Sequence, residues 1–427
     1  MKFALYTLGC KVNQYESQAL EQELCRRGHE LVDFDDWADA YLINTCTVTA
    51  VSDKKSRNAI RRAKKRNPEA VVGVCGCYAQ VAPEELQALD IDVLSGSGDR
   101  MGFLDLVERE FEERCPVVAV DDIRARRDFE MLPAGGLRVR TRAMLKIEDG
   151  CVNFCSYCII PYARGRVRSL PLADALREAR RLAEEGYREI VLTGIEISSW
   201  GRDLPEGAGL ADLVEQVCRA VPEVRIRLGS LEPRTVTEDF CRRLCALPNL
   251  CPQFHLSLQS GCDETLRRMN RKYDTARYLE SVALLRAHFS CPAITTDLIA
   301  GFPEETEEEF AQTLSFIRQC DFAEMHVFPY SIRPGTPAAK MHQVEKSVKE
   351  ARAHRAAAVA REMHEAYLER CVGRSFAVLF EQEKDGASVG HAPNYMEVCV
   401  AETGLHNQVK TVRITHRNGS LLLGELV

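Results

Sequence analysis

The stretch AMLKIEDGCVNFCSYC, residues 143–158, decides how this chain is read. Its first part, residues 143–147, is an apolar run of the length of a buried strand. Directly behind it stand Cys151, Cys155 and Cys158, in a C-x3-C-x2-C pattern. Three thiolates this close leave one position open on a tetrahedral zinc or a four-iron cluster. An open position marks a catalytic rather than a structural metal centre. A zinc knuckle completed by a distant histidine, or three free thiols on a surface loop, are the plainer alternatives. The location at a strand's carboxyl end, where a parallel barrel carries its chemistry, favours the catalytic reading.

Outward from this stretch the strand–helix alternation continues. Further strands are expected at residues 189–193, 225–228, 254–258, 294–299 and 324–328, separated by amphipathic helices such as DALREARRLAEEG. Six such units over residues 137–366 predict a partial (β/α)6 barrel, closed by a helical run at 348–369. Residues 1–115 alternate in the same way around apolar runs at 3–8, 41–43 and 71–74, which predicts a doubly wound parallel α/β domain. Between them, residues 116–136 carry DDIRARRD and LPAGG and read as a linker. From 367 to 427 the pattern changes to short alternating segments, the signature of a small β-barrel. The fold class is therefore α/β with a β-barrel appended.

Across 427 residues, 45% hydrophobic and 28% charged content excludes a disordered or collagen-like chain. No apolar run reaches the ~20 residues of a membrane helix, and MKFALYTLGC has no small-residue cleavage site, so a cytosolic protein with no membrane partner is expected. There the 18 cysteines stay reduced and suit metal binding better than disulfides. Three more of them are patterned: Cys10 in TLGCKVNQYES, Cys46 in LINTCTVT and Cys77 in GCYAQ. Singly, each reads as a packed core thiol. Each, however, follows a predicted strand of the first domain, and loops after parallel strands gather at one crevice. Together they make a second three-thiol site, with Cys75 expected to face away and kept as the alternative ligand.

The C-x3-C-x2-C cluster, with Tyr157 beside its last cysteine, resembles that of the radical S-adenosylmethionine enzymes. The resemblance implies a [4Fe–4S] cluster on Cys151, Cys155 and Cys158, with S-adenosylmethionine at the open iron and a 5′-deoxyadenosyl radical as its product. With the second cysteine set and the C-terminal barrel, the whole chain is similar to the methylthiotransferases, which replace C–H by C–S–CH3. The barrel would be a TRAM-like domain, and Cys10, Cys46 and Cys77 would hold a second [4Fe–4S] cluster that delivers sulfur. TLGCKVNQYES and INTCTVT are most similar to the branch acting on N6-threonylcarbamoyladenosine at position 37 of tRNA, 3′ to the anticodon. Lys11 and Val12 depart from the Gln–Met of the isopentenyladenosine branch and from the pattern of the ribosomal-protein branch. By the same resemblance Tyr157, Gly194, Glu196, Ser230, Gln259, Asp297 and Gly301 would lie along the S-adenosylmethionine, although each also reads as a turn or cap residue. The implied partners are tRNA, an electron donor and a sulfur source, with a monomer favoured. The rival readings are a ribosomal-protein aspartate methylthiotransferase and a non-catalytic iron–sulfur RNA-binding sensor.

The net charge of −7 excludes a generally basic nucleic-acid coat but not a local one. KKSRNAIRRAKKR holds eight cations and no acid: Lys54, Lys55, Arg57, Arg61, Arg62, Lys64, Lys65 and Arg66. A solvated helix face is the ordinary explanation of such a run. Its position just after Cys46 favours RNA phosphate. Arg164, Arg166 and Arg168 read as a second basic ridge. Tyr395 serves equally as a base-stacking or a core residue. Arg271 and Arg333 stand at strand ends, where either could hold the threonylcarbamoyl carboxylate.

Overall fold

The computed structural model describes residues 1–133, 135, 141–205 and 207–427. In the first unit, β1 (Lys2–Thr7), β2 (Glu30–Val32), β3 (Ala40–Thr45), β4 (Val71–Gly76), β5 (Val93–Ser95) and β6 (Val117–Ala119) form one parallel sheet in the order β2-β1-β3-β4-β5-β6. Every residue of β3 and β4 is buried, which is why they read as unbroken apolar runs rather than alternating ones. The sheet corrects one boundary. Because β6 pairs with β5, the first unit runs to Ala119, and the linker expected from 116 starts later. At the sheet edge two of the three β6 residues are exposed, so no buried pattern marked them as a strand. The far end of that linker, Gly136, and the expected start of the barrel domain at 137 fall outside the described residues. Helices α1 (Lys11–Arg26) and α2 (Ala50–Arg66) follow β1 and β3. Strand order reverses between those two strands, and that switch point is where open α/β sheets bind ligands.

The central unit contains all six expected strands, at Arg142–Lys146, Glu189–Thr193, Arg225–Leu228, Gln253–Leu256, Ala293–Ala300 and Glu324–Pro329. All their pairings are parallel. Gly229 divides the third from Ser230–Leu231, which continues the sheet to Gln253–Leu256, so the strands wrap as a partial barrel. Leu145, Ile190, Leu192, Leu228, Leu256 and Leu298 fill its core. The long helix Lys346–Cys371 then leads into a closed barrel of five strands, Ser375–Lys384, Ala387–His391, Glu397–Val400, Val409–Asn418 and Leu421–Leu426. The expected division at 366/367 falls within this helix, whose Tyr367, Leu368 and Cys371 pack into the small barrel's core with Val378, Phe380 and Val412. No helix among the described residues is long and apolar enough to cross a membrane.

One buried acid joins the two barrels. Glu189 is fully buried and accepts from Arg225 at 2.7 Å and Arg227 at 2.8 Å, with Arg142 at 3.1 Å. The same arginines donate onward to the small barrel: Arg225 to the Ala377 carbonyl, Arg227 to the Pro393 carbonyl and Arg142 to the Tyr395 hydroxyl. This settles Tyr395. Its ring lies under Arg227 and Arg142, at 4.7 and 5.0 Å, and stacks on His391. It is interface structure and does not offer a face to an RNA base.

Candidate active site

At the switch point the first sheet gathers its three patterned thiols. Cys10 caps the start of α1, Cys46 directly follows β3, and Cys77 directly follows β4. Two glycines make the convergence possible. Gly9 has φ +112°, and a Cβ there would lie 3.0 Å from Cys46 Sγ; Gly76 has φ +100°, and its Cβ would lie 2.5 Å from the Thr45 carbonyl oxygen. Only residues without side chains let the loops press together this closely. Burial pushes the Cys77 thiol up to about 12; Arg164 opposes that shift, and the neighbouring Cys46 and Cys10 reinforce it. Cys75 instead packs in the core beside Phe3, Leu42 and Phe103. Asn13, from the first turns of α1, ties the loops: its amide donates to the Leu8 carbonyl at 2.7 Å and the Thr45 carbonyl at 3.0 Å.

The other three thiols stand at the carboxyl end of the partial barrel, behind Arg142–Lys146. Gly150, at φ +91°, lets Cys151 N–H donate to the Gly165 carbonyl at 3.0 Å, since any Cβ would collide with the Arg166 carbonyl. Cys158 N–H closes the loop on the Cys155 carbonyl at 2.9 Å. Burial pushes both Cys151 and Cys158 up to about 12. Such thiols ionise at neutral pH only when a cation replaces the proton. Cys151, Cys155 and Cys158 line one cavity of about 290 Å³, together with Tyr157, Glu196, Ser230, Gln259 and Asp297. Five of the seven expected S-adenosylmethionine residues are therefore on its wall.

The two glycines are not. Gly194 packs on Glu148, where a Cβ would lie 2.8 Å from Oε2, and serves to bring the Glu196 loop in. Gly301 packs against Lys349 and donates its N–H to Glu305 at 2.9 Å, so it shapes a turn behind the cavity. The cavity also contains residues that no sequence signal marked: Asn153, which donates to Glu196 at 3.0 Å, and Glu232. Arg271 changes role. It lines the same cavity and donates to Cys155 Sγ at 3.3 Å, so it faces the C-x3-C-x2-C thiols. Arg333 is buried and held by Asp53 at 2.7 Å and Thr47 at 2.7 Å; its charge is already matched.

The donor sets fit iron–sulfur clusters. Each has three thiols. Among the described residues no three His, Cys, Asp or Glu side chains converge tightly enough to hold a single ion. A single zinc ion needs its ligands closer together, whereas a multi-iron cluster spans ligands set further apart.

The basic features divide in two. On α2, Arg57, Arg62, Lys64 and Arg66 meet Glu85, Asp35, Asp92 and Asp35 respectively, and Arg62 also covers Phe34 and Tyr6. Lys54, Lys55, Arg61 and Lys65 are exposed. The second ridge is not a ridge: Arg164 and Arg168 are buried and ion-paired, and only Arg166 is exposed.

Comparison with known proteins identifies relatives of the chain. Residues 145–317 match the model of the radical SAM superfamily, and residues 2–96 match one described as an uncharacterized protein family, UPF0004. The threonylcarbamoyladenosine tRNA methylthiotransferase MtaB of Bacillus subtilis is 41% identical over 92% of this chain and 89% of its own length. The Aquifex aeolicus protein of the same name is 39% identical over 80% and 83%. A tRNA-2-methylthio-N(6)-dimethylallyladenosine synthase of Cereibacter sphaeroides is 34% identical over 99% and 98%. In fold, the chain is similar to the radical S-adenosylmethionine methyltransferase TsrM of Kitasatospora setae, with a TM-score of 0.58 over 91% of this chain and 80% of that one at 16% identity. On these grounds the chain belongs to the threonylcarbamoyladenosine tRNA methylthiotransferase family of radical S-adenosylmethionine enzymes.

Proposed function

We propose that this enzyme converts N6-threonylcarbamoyladenosine-37 of tRNA into its 2-methylthio derivative. Its cofactors are S-adenosylmethionine and [4Fe–4S] clusters. When bound, they supply the radical that takes hydrogen from carbon 2 of the adenine, and the sulfur and methyl group that replace it. That C–H bond is unactivated and gives acid–base chemistry no foothold. Cys151, Cys155 and Cys158 would hold one cluster. Tyr157, Glu196, Ser230, Gln259 and Asp297 would bind and orient S-adenosylmethionine, with Arg271 above Cys155 as a cation for its carboxylate. Cys10, Cys46 and Cys77 would hold the sulfur-donating cluster, and Lys54, Lys55, Arg61 and Lys65 would meet the RNA backbone.

The observation that carries this reading is the pair of separate three-thiol sites, in a chain whose relatives of matching length bear that name. Those names favour neither a ribosomal-protein substrate nor a non-catalytic sensor. The reading also requires an electron donor and a sulfur source as partners, and a cytosolic location fits the free thiols. A strain lacking the enzyme should accumulate N6-threonylcarbamoyladenosine and lose the 2-methylthio form, while 2-methylthio-isopentenyladenosine stays normal in the nucleoside mass spectrum. Unchanged tRNA, with a ribosomal protein lighter by one methylthio group, would overturn the substrate.

A further inference from the structure

Arg164 belongs to the radical domain, six residues beyond Cys158, yet its side chain ends in the other cysteine site. It is fully buried. Nε donates to Cys77 Sγ at 3.2 Å. Nη2 donates to Asn13 Oδ1 at 2.7 Å and to Glu16 at 3.1 Å, and Nη1 donates to Glu16 as well. That same Asn13 oxygen lies 3.9 Å from Cys10 Sγ, while the Asn13 amide holds the Thr45 carbonyl next to Cys46. One guanidinium thus reaches Cys77 directly and the Cys10 and Cys46 loops through one asparagine. Asn13 and Glu16 belong to the CKVNQYE segment, and helical i, i+3 spacing puts both on the face that meets Arg164.

The charge around it is lopsided. Glu16 also meets Arg100 at 2.9 Å and Lys146 at 3.5 Å. Asp149 meets Lys146 at 3.0 Å, Arg168 at 3.4 Å and Arg164 at 3.5 Å. Four buried cations therefore share two buried carboxylates, and the half-buried Glu130 at Arg100 does not close the gap. Buried charge that lacks a counter-charge is costly. Thiolates ligating at Cys10, Cys46 and Cys77 are the anions this surplus is placed to balance.

We propose that Arg164 is a positioning residue lent by the radical domain to the sulfur-donating site, and that its hydrogen bond and charge at Cys77 raise the reduction potential of the cluster held there. Hydrogen bonds to cluster sulfur and nearby net charge are what set such potentials, and a buried cation favours the reduced, more negative form. The inference rests on the reading that Cys10, Cys46 and Cys77 hold a cluster. Iron analysis of the Cys10→Ala/Cys46→Ala/Cys77→Ala chain tests that reading separately, and neither readout depends on the RNA substrate.

The test uses the full-length chain with Cys151, Cys155 and Cys158 replaced by alanine, so that one reconstituted cluster remains, titrated potentiometrically with detection by electron paramagnetic resonance. Arg164→Met, which keeps volume and removes charge, should shift the midpoint to more negative potential. Glu16→Gln, which removes the carboxylate competing for Arg164, should shift it the opposite way. A residue that merely joins two domains would not give shifts of opposite sign. Coincident midpoints in all three chains, or shifts of the same sign, would overturn the proposal. Should Arg164→Met not fold, Glu16→Gln decides alone: a raised midpoint supports the proposal and an unchanged or lowered one overturns it.

Discussion

Cys75 and Cys77 show how much one residue's placement can depend on the turn beside it. Positions two apart share a face of a strand, so strand alternation cannot separate these thiols. The separation comes from Gly76, where β4 ends at φ +100° and Cys77 opens a helix toward Cys46 and Cys10. Cys75 stays behind in the core. Cys75→Ala should therefore retain the auxiliary cluster, whereas Cys77→Ala should lose about four iron atoms per chain, one cluster's worth. Iron and sulfide analysis of both reconstituted chains checks it. The three cysteines proposed for the radical site give the complementary test. Replacing any of Cys151, Cys155 or Cys158 should abolish reductive cleavage of S-adenosylmethionine, which the Cys10/Cys46/Cys77 variant should keep.

At the scale of one element, α2 carries two kinds of cation. Thr49 caps it, accepting from Ser52 N–H at 3.2 Å, and Asp53 sits favourably in its first turn. Lys54, Arg61 and Lys65 follow helical spacing along one exposed stripe with Asn58 between them, and Lys55 borders it. The remaining four cations are engaged with acids of their own unit. Four exposed cations, each neutralising a phosphate, give a salt slope of about −3 in log affinity against log salt. Replacing Lys54, Lys55, Arg61 and Lys65 by alanine should flatten the slope for tRNA by about that amount and leave cleavage of S-adenosylmethionine unaffected. Replacing Arg62 and Lys64 should instead lower the melting temperature and leave the slope alone. An unchanged slope in the first variant would make the stripe a solvated face.

For the whole molecule the joint at Glu189 is decisive, because the small barrel is held to the partial barrel through three arginines on one buried acid. Burial alone would raise that carboxyl; Arg227 first, then Arg225 and Arg142, hold it well below the usual carboxylate range. A depressed folded pKa contributes stability above the unfolded value and loses it as pH falls toward the folded one. The Glu189 contribution should thus be intact at neutral pH and fade below about pH 4.5. Glu189→Gln removes the acid from the buried Arg225 and Arg227, while Arg142 keeps Glu381, and should cost about 3–5 kcal/mol at pH 7. Its melting temperature should then fall less steeply on acidification than that of the unaltered chain. Equal acid limbs in the two chains would mean the joint is not electrostatic.

What the sequence determined by itself was whatever is local or periodic. The apolar runs of the parallel strands, the C-x3-C-x2-C loop behind residues 143–147 and the cysteines trailing β1, β3 and β4 are each set within a few residues of chain, by period and by spacing. Only the tertiary structure decided the pairings that reach across the chain. Arg164 and Arg168 look exposed in a basic run but are buried against Glu16 and Asp149. Arg333 is taken by Asp53, from the distant first unit, and Tyr395 is covered by Arg142 and Arg227. A charged side chain is marked by its own residue type, but its partner is fixed by packing, and no period along the chain encodes which acid will be buried beside it.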